Sequence, residues 1–143
     1  MKMEPGIIFA IVAAIAFGAW TIFHKQASGS VNSLFGAIII SLTAGIIGIL
    51  ILAPQFSSTT LFTNYRGIVF AVLAGVCALA IDYFALKAYG SGLEISVGGP
   101  IIIAGSVAVA STIGFLLGES ITLYKIVGLL MVIIGSGILS RYG

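Results

Sequence analysis

Five long apolar runs, separated by short polar stretches, leave this chain few ways to fold. They span 6–23, 34–53, 67–86, 95–117 and 123–139. Each is close to the roughly 20 residues a helix needs to cross about 30 Å of hydrocarbon. The last is shorter, and Lys125 and Arg141 at its ends can snorkel to the two surfaces. Strands of a transmembrane barrel would instead alternate apolar and polar residues over about ten positions. A water-soluble domain is excluded by charge. Asp, Glu, Lys and Arg make up 7% of the 143 residues, against about a quarter in an ordinary globular chain. The expectation is an all-α integral membrane protein: one domain over 1–143, with five transmembrane helices, short loops and the lipid bilayer as its solvent.

The same numbers remove several functions. A net charge of +2 with no polybasic tract provides no electrostatic basis for binding nucleic acid. Cys77 is the single cysteine, so an intrachain disulfide and a cysteine metal cluster are both out of reach. It reads as a small packing residue. The opening Met1-Lys2-Met3-Glu4-Pro5 mimics a secretory leader. The apolar stretch runs on to Phe23 without a small-residue cleavage site, however, and further spans follow, so it is read as the first membrane helix. The longest connection, Gln55 to Arg66, carries Ser57, Ser58, Thr59 and Thr60 and is too short for a folded soluble domain. With no nucleophile–base pair, metal-ligand cluster or phosphate-binding loop in view, the chain does not read as an enzyme, and no cofactor or metal is expected.

Orientation follows from where Lys and Arg fall in the short loops. With five spans, Lys2, Arg66 and Lys125 lie on one membrane face, and Lys25, Lys87 and Arg141 on the other. The balance sets no preferred orientation. Six charges can balance by chance; the sharper reading is a chain that inserts both ways, so that two oppositely inserted copies pair as an antiparallel dimer. Such a pair is an inverted repeat built from one sequence, a frequent ground plan of secondary transporters.

The second half carries a recognisable pattern. Tyr83-Phe84-Ala85-Leu86-Lys87-Ala88-Tyr89-Gly90 leads to Gly99-Pro100, then to Leu117-Gly118-Glu119-Ser120-Ile121-Thr122, and then to Gly128-Leu129-Leu130-Met131-Val132-Ile133-Ile134-Gly135. Together with Phe17-Gly18-Ala19-Trp20 and Lys25 near the start, it resembles the EamA domain of the drug/metabolite transporter superfamily. The resemblance covers essentially the whole chain, and the Gly-Glu-x-x-Thr turn is its most specific part. It implies a small secondary transporter of a small polar organic metabolite, working by alternating access in a prokaryotic plasma membrane. Most members carry two such domains in tandem. A single five-helix unit is therefore expected to recruit a second copy of itself. The alternative is a non-transporting partner subunit, or one half of a heterodimer.

Asp82 is the one acid well inside an apolar run. An ionisable group there costs a few kcal/mol and needs a partner or a polar cavity. Lys87, five positions on, is about 140° round the helix. Lys25 is the better partner, so an Asp82–Lys25 ion pair that fixes packing is one reading, and a substrate or proton site the other. The related small multidrug exporters place a Glu within their first helix; here Glu4 precedes the first run, which argues against that mechanism. Gly98-Gly99-Pro100 opens the fourth helix, with Ser106 further along; it is either a tolerated entry turn, Pro100 being close to the helix start, or an interruption lining a cavity, which the family resemblance favours by implying that this helix lines the central pathway. Trp20, Tyr83 and Tyr89 lie toward one face, as an interfacial belt or as cavity aromatics. His24, beside Lys25, is read as interfacial. The candidate substrate-binding set is Trp20, Asp82, Tyr83, Gly99, Pro100 and Ser106. Gly128 and Gly135, a heptad apart, resemble the glycines with which small multidrug exporters dimerise, and packing within one subunit is the competing reading. Gly45 and Gly48 are taken as ordinary packing glycines.

Overall fold

The structure, a computed structural model, describes residues 5–56, 60–61 and 64–142. Lys2, Glu4, Ser57, Ser58 and Thr59 lie outside the described residues. Five helices follow in chain order: α1 (Pro5–Ala27), α2 (Ser33–Leu52), α3 (Tyr65–Gly90), α4 (Ile95–Leu116) and α5 (Leu123–Tyr142), with a short 3₁₀ turn at Ala53–Gln55 after α2. All five are long and apolar enough to cross a membrane. In hydrocarbon a helix is the open-ended structure that satisfies its own backbone groups, so near-continuous apolar sequence folds this way.

The helices exceed their apolar runs where polar residues stay helical. α1 continues through His24, Lys25 and Gln26 to Ala27, and α3 continues past Leu86 to Gly90. Local signals set the ends. Asn32 accepts from the backbone N–H groups of Leu34 and Phe35 at 3.0 and 3.2 Å, and Asn64 accepts from that of Arg66 at 2.9 Å. Gly29, Gly92 and Gly118 turn the chain with φ of 80°, 101° and 95°, values that favour glycine.

The chain divides into two compact units. One holds the described residues through Ile22 and those from Gly92 onward; the other is Phe23–Ser91. In the first, α4 packs along α5, and in the second, α2 packs along α3. Buried apolar residues are few and mostly small, among them Ala37, Ala85, Leu86, Val97 and Ala104. Large apolar side chains such as Phe9, Leu42, Phe70, Val76 and Met131 are exposed on the helices. A surface this apolar fits lipid and not water.

Close approach is concentrated at a few glycines. A Cβ on Gly36 of α2 would meet Leu86 Cδ1 at 2.7 Å and Val31 Cγ2 at 3.0 Å. On Gly99 of α4 it would sit 3.6 Å from Thr21 Cγ2 of α1. Gly45 and Gly48, read as packing glycines, have nothing within 4 Å of such a Cβ, and Cys77 is exposed on α3 instead of packed. The α2–α3 contact lies nearer the start of α2 than those glycines suggest.

Candidate functional site

The polar centre of the Phe23–Ser91 unit grows from the buried face of α3. Asp82, Ala85, Leu86 and Tyr89 are its buried residues, spaced as one side of a helix. Asp82 is 6% exposed, and His24 from the last turns of α1 is 2% exposed. Their side chains meet, with Nε2 of His24 3.1 Å from Oδ1 of Asp82. An ionised carboxylate only accepts, so in that state the imidazole Nε2–H is the donor.

The His24 ring, read from the sequence as interfacial, is buried and lies against Asp82. Lys25, the partner expected for Asp82 from the sequence, is half-buried and donates from Nζ to the Tyr89 carbonyl at 3.3 Å; Lys25 and Asp82 each hold further interactions as well. That ammonium sits at the C-terminal end of α3, where carbonyls lack helical partners and cations are favoured. Thr21 and His24, three residues apart on α1, are both buried and polar. That spacing was the available signal for His24.

The aromatic candidates separate. Tyr89 is 1% exposed, so it belongs to no interfacial belt, and its hydroxyl is a buried polar atom without a hydrogen-bond partner among the described residues. Tyr83 is half-buried, edge-on to Phe84 at 5.0 Å, with the Lys87 ammonium 5.7 Å from its ring centroid. In the other unit, the half-buried Trp20 stacks on Phe17 at 5.0 Å.

The α4 candidates also belong to that other unit. Gly98 and Gly99 are buried, and Pro100 lies inside the helix, not at its entrance. α4 runs unbroken from Ile95 to Leu116, so the expected interruption is absent; Pro100 only withholds the N–H that the Ser96 carbonyl would otherwise accept. Flanking turns hold the geometry. The Ser106 hydroxyl donates to the Ile103 carbonyl of its own helix at 2.8 Å.

Gly128 and Gly135 have nothing within 4 Å of an added Cβ, as does Gly137. Gly128 lies in a groove of ≈ 340 Å³ between α4 and α5, lined also by Ser111, Phe115, Glu119, Lys125 and Val132. At its polar end the Lys125 ammonium is 4.0 Å from the Glu119 carboxylate and donates to the Ser120 carbonyl at 2.9 Å. These exposed charges contribute little to stability.

Five apolar helices among the described residues, with a buried acid–imidazole pair joining α1 and α3, define a multi-pass integral membrane protein. The model of the EamA-like transporter family matches residues 4–141, and the chain belongs to that family. It is thus a membrane protein of the drug/metabolite transporter type, with a single five-helix unit. No curated protein and no solved structure matches the chain.

Proposed function

We propose that the chain is a secondary transporter of a small polar organic metabolite in a plasma membrane, acting by alternating access as an antiparallel pair of identical subunits. The observation that carries this reading is the buried His24–Asp82 pair in a chain of a transporter family. Charge inside a span has an energetic cost of a few kcal/mol, so it is retained where it binds or moves something polar. Within the Phe23–Ser91 unit, Asp82 and Tyr83 are the candidate contacts to substrate. Trp20, Gly99, Pro100 and Ser106 are candidates within the other unit, taken by itself.

Pairing in opposite orientations is supported by the even division of the six Lys and Arg between the two faces. The open space over Gly128, Gly135 and Gly137 supports α5 as the contact helix, because a second helix can approach closely there.

Single cysteines at Ser91 and Ser120, in loops on opposite faces, test orientation once Cys77 is replaced by Ser. A membrane-impermeant maleimide applied to intact cells labels a substantial fraction at each site if both orientations exist. Complete labelling at one site and none at the other removes the antiparallel pair. Gly128→Leu and Gly135→Leu are expected to lower the dimer fraction without unfolding the subunit. Flux of a radiolabelled metabolite panel into vesicles holding this protein alone separates a transporter from a partner subunit.

A further inference from the structure

We propose that the groove between α4 and α5 seats a phospholipid with a primary-amine headgroup, phosphatidylethanolamine, and that the headgroup lies against the Glu119–Lys125 pair. The statement goes beyond the transporter reading and does not rest on it. The groove has a volume of ≈ 340 Å³, and most of its lining is apolar, from Val107 and Phe115 of α4 and Leu129 and Val132 of α5. Both helices belong to the same compact unit. From Val107 to Phe115 the wall extends about 12 Å along α4. Gly128 leaves the α5 side open, since nothing lies within 4 Å of a Cβ added there. The polar end of the groove is the turn between two spans, at the depth where headgroups lie. Tyr124, 89% exposed, borders that end, as interfacial aromatics do.

Two opposite charges stand at the polar end. α4 closes with Gly118 at a φ of 95°, and the Glu119 N–H donates to the Gly114 carbonyl at 3.0 Å. The Glu119 side chain then folds back over Gly114, where an added Cβ would meet its Cδ, Oε1 and Oε2 at 2.9, 3.0 and 3.1 Å. The bare glycine makes room for the carboxyl group. That group is exposed and accepts no hydrogen bond among the described residues, because Lys125 Nζ stands 4.0 Å away. The Lys125 ammonium donates to the Ser120 carbonyl at 2.9 Å and to the Ser120 hydroxyl at 3.4 Å. An ammonium has three donors, so one is left beyond these contacts.

An ethanolamine headgroup complements both charges. A phosphate oxygen accepts from the Lys125 ammonium, and the lipid ammonium, two methylenes away, donates to the Glu119 carboxylate. The acyl chain continues from the phosphate along the apolar groove. A glycerol headgroup brings no cation and sets its phosphate near Glu119 without compensation. A choline headgroup brings a cation that has no N–H to donate. An exposed ion pair contributes little to stability, so stability does not account for a carboxylate seated on a bare glycine with its acceptor positions open.

The whole chain, purified in detergent micelles, is titrated with phosphatidylethanolamine, phosphatidylglycerol or phosphatidylcholine of identical acyl chains. Bound lipid is counted by native mass spectrometry of the intact complex. The unmodified protein should hold phosphatidylethanolamine about threefold or more tightly than either other lipid. Glu119→Gln should reduce phosphatidylethanolamine to the level of phosphatidylglycerol, and Lys125→Gln should weaken both. Gly114→Ala removes no charge, yet its Cβ displaces the Glu119 carboxylate, so the preference should shrink as it does in Glu119→Gln. Ser111→Leu fills the groove, leaves both charges in place and should weaken all three lipids. Arg66→Gln, an equal change of charge on the other unit, should leave binding unchanged. Equal retention of the three lipids by the unmodified protein would overturn the proposal, as would a preference that survives both Glu119→Gln and Gly114→Ala. Lipid present on monomers and absent from dimers would also overturn it, because a second copy would then cover the groove. The readout is bound lipid and not flux, so this result and the transport assay stand or fall separately.

Discussion

A double-mutant cycle on His24 and Asp82 gives the energetic weight of the buried pair. Replacing Asp82 by Ala leaves a buried imidazole, and replacing His24 by Ala leaves a buried carboxylate. Removing one member of a buried ion pair typically costs about 3–5 kcal/mol, mostly because the survivor stays desolvated. The double variant removes both groups. A hydrogen bond to a charged group contributes about 1.5–3 kcal/mol, and at 3.1 Å this contact falls within ordinary bonding range. The two single losses should therefore sum to about 1.5–3 kcal/mol more than the loss in the double variant, a factor of about 10 to 150 in the unfolding equilibrium. Other contacts of the two residues cancel in the cycle to the extent that each is lost in both arms. Reversible unfolding in mixed micelles, followed by circular dichroism, measures all four stabilities. Strict additivity would show that the two groups do not interact, and the site would lose its foundation.

Gly36→Ala should destabilise the Phe23–Ser91 unit by about 1–3 kcal/mol relative to Gly45→Ala on the same helix, because its Cβ would meet the buried Leu86 at 2.7 Å while that of Gly45 meets nothing within 4 Å. The comparison removes the shared gain in helix propensity, and the same unfolding assay checks it. Tyr89→Phe removes a buried hydroxyl that has no hydrogen-bond partner among the described residues and should be neutral or stabilising by up to about 1–2 kcal/mol. A marked loss of thermal stability would mean that a water molecule or a bound polar group uses that hydroxyl.

Much of the architecture was legible in the residue order. The five runs predicted the five spans, and the helices depart from them by only a few residues at most ends. Asp82 stood out because one acid among apolar neighbours needs no alignment to be noticed. His24 did not stand out. Placed after Phe23 and before Lys25, it looked like the start of a loop, and α1 in fact carries it for one more turn into a buried position. Tyr89 was ambiguous for the same reason: its place near the end of an apolar run suits either a belt or a buried aromatic, and its burial decides against the belt. The interruption expected at Gly98-Gly99-Pro100 did not occur, because Pro100 comes just after the first turn of α4 and its missing N–H removes a single bond, to the Ser96 carbonyl.

Depth along the membrane normal is thus written into the chain, since burying a polar group in hydrocarbon costs enough to mark every span along the sequence. Rotation about each helix axis is not. In water an amphipathic stripe reveals the inner face, but here lipid-facing and protein-facing sides are both apolar, and periodicity carries no such signal. Which side of α1 turns His24 toward Asp82, and which glycine of α2 meets Leu86, emerge only when helices pack and steric fit selects the faces.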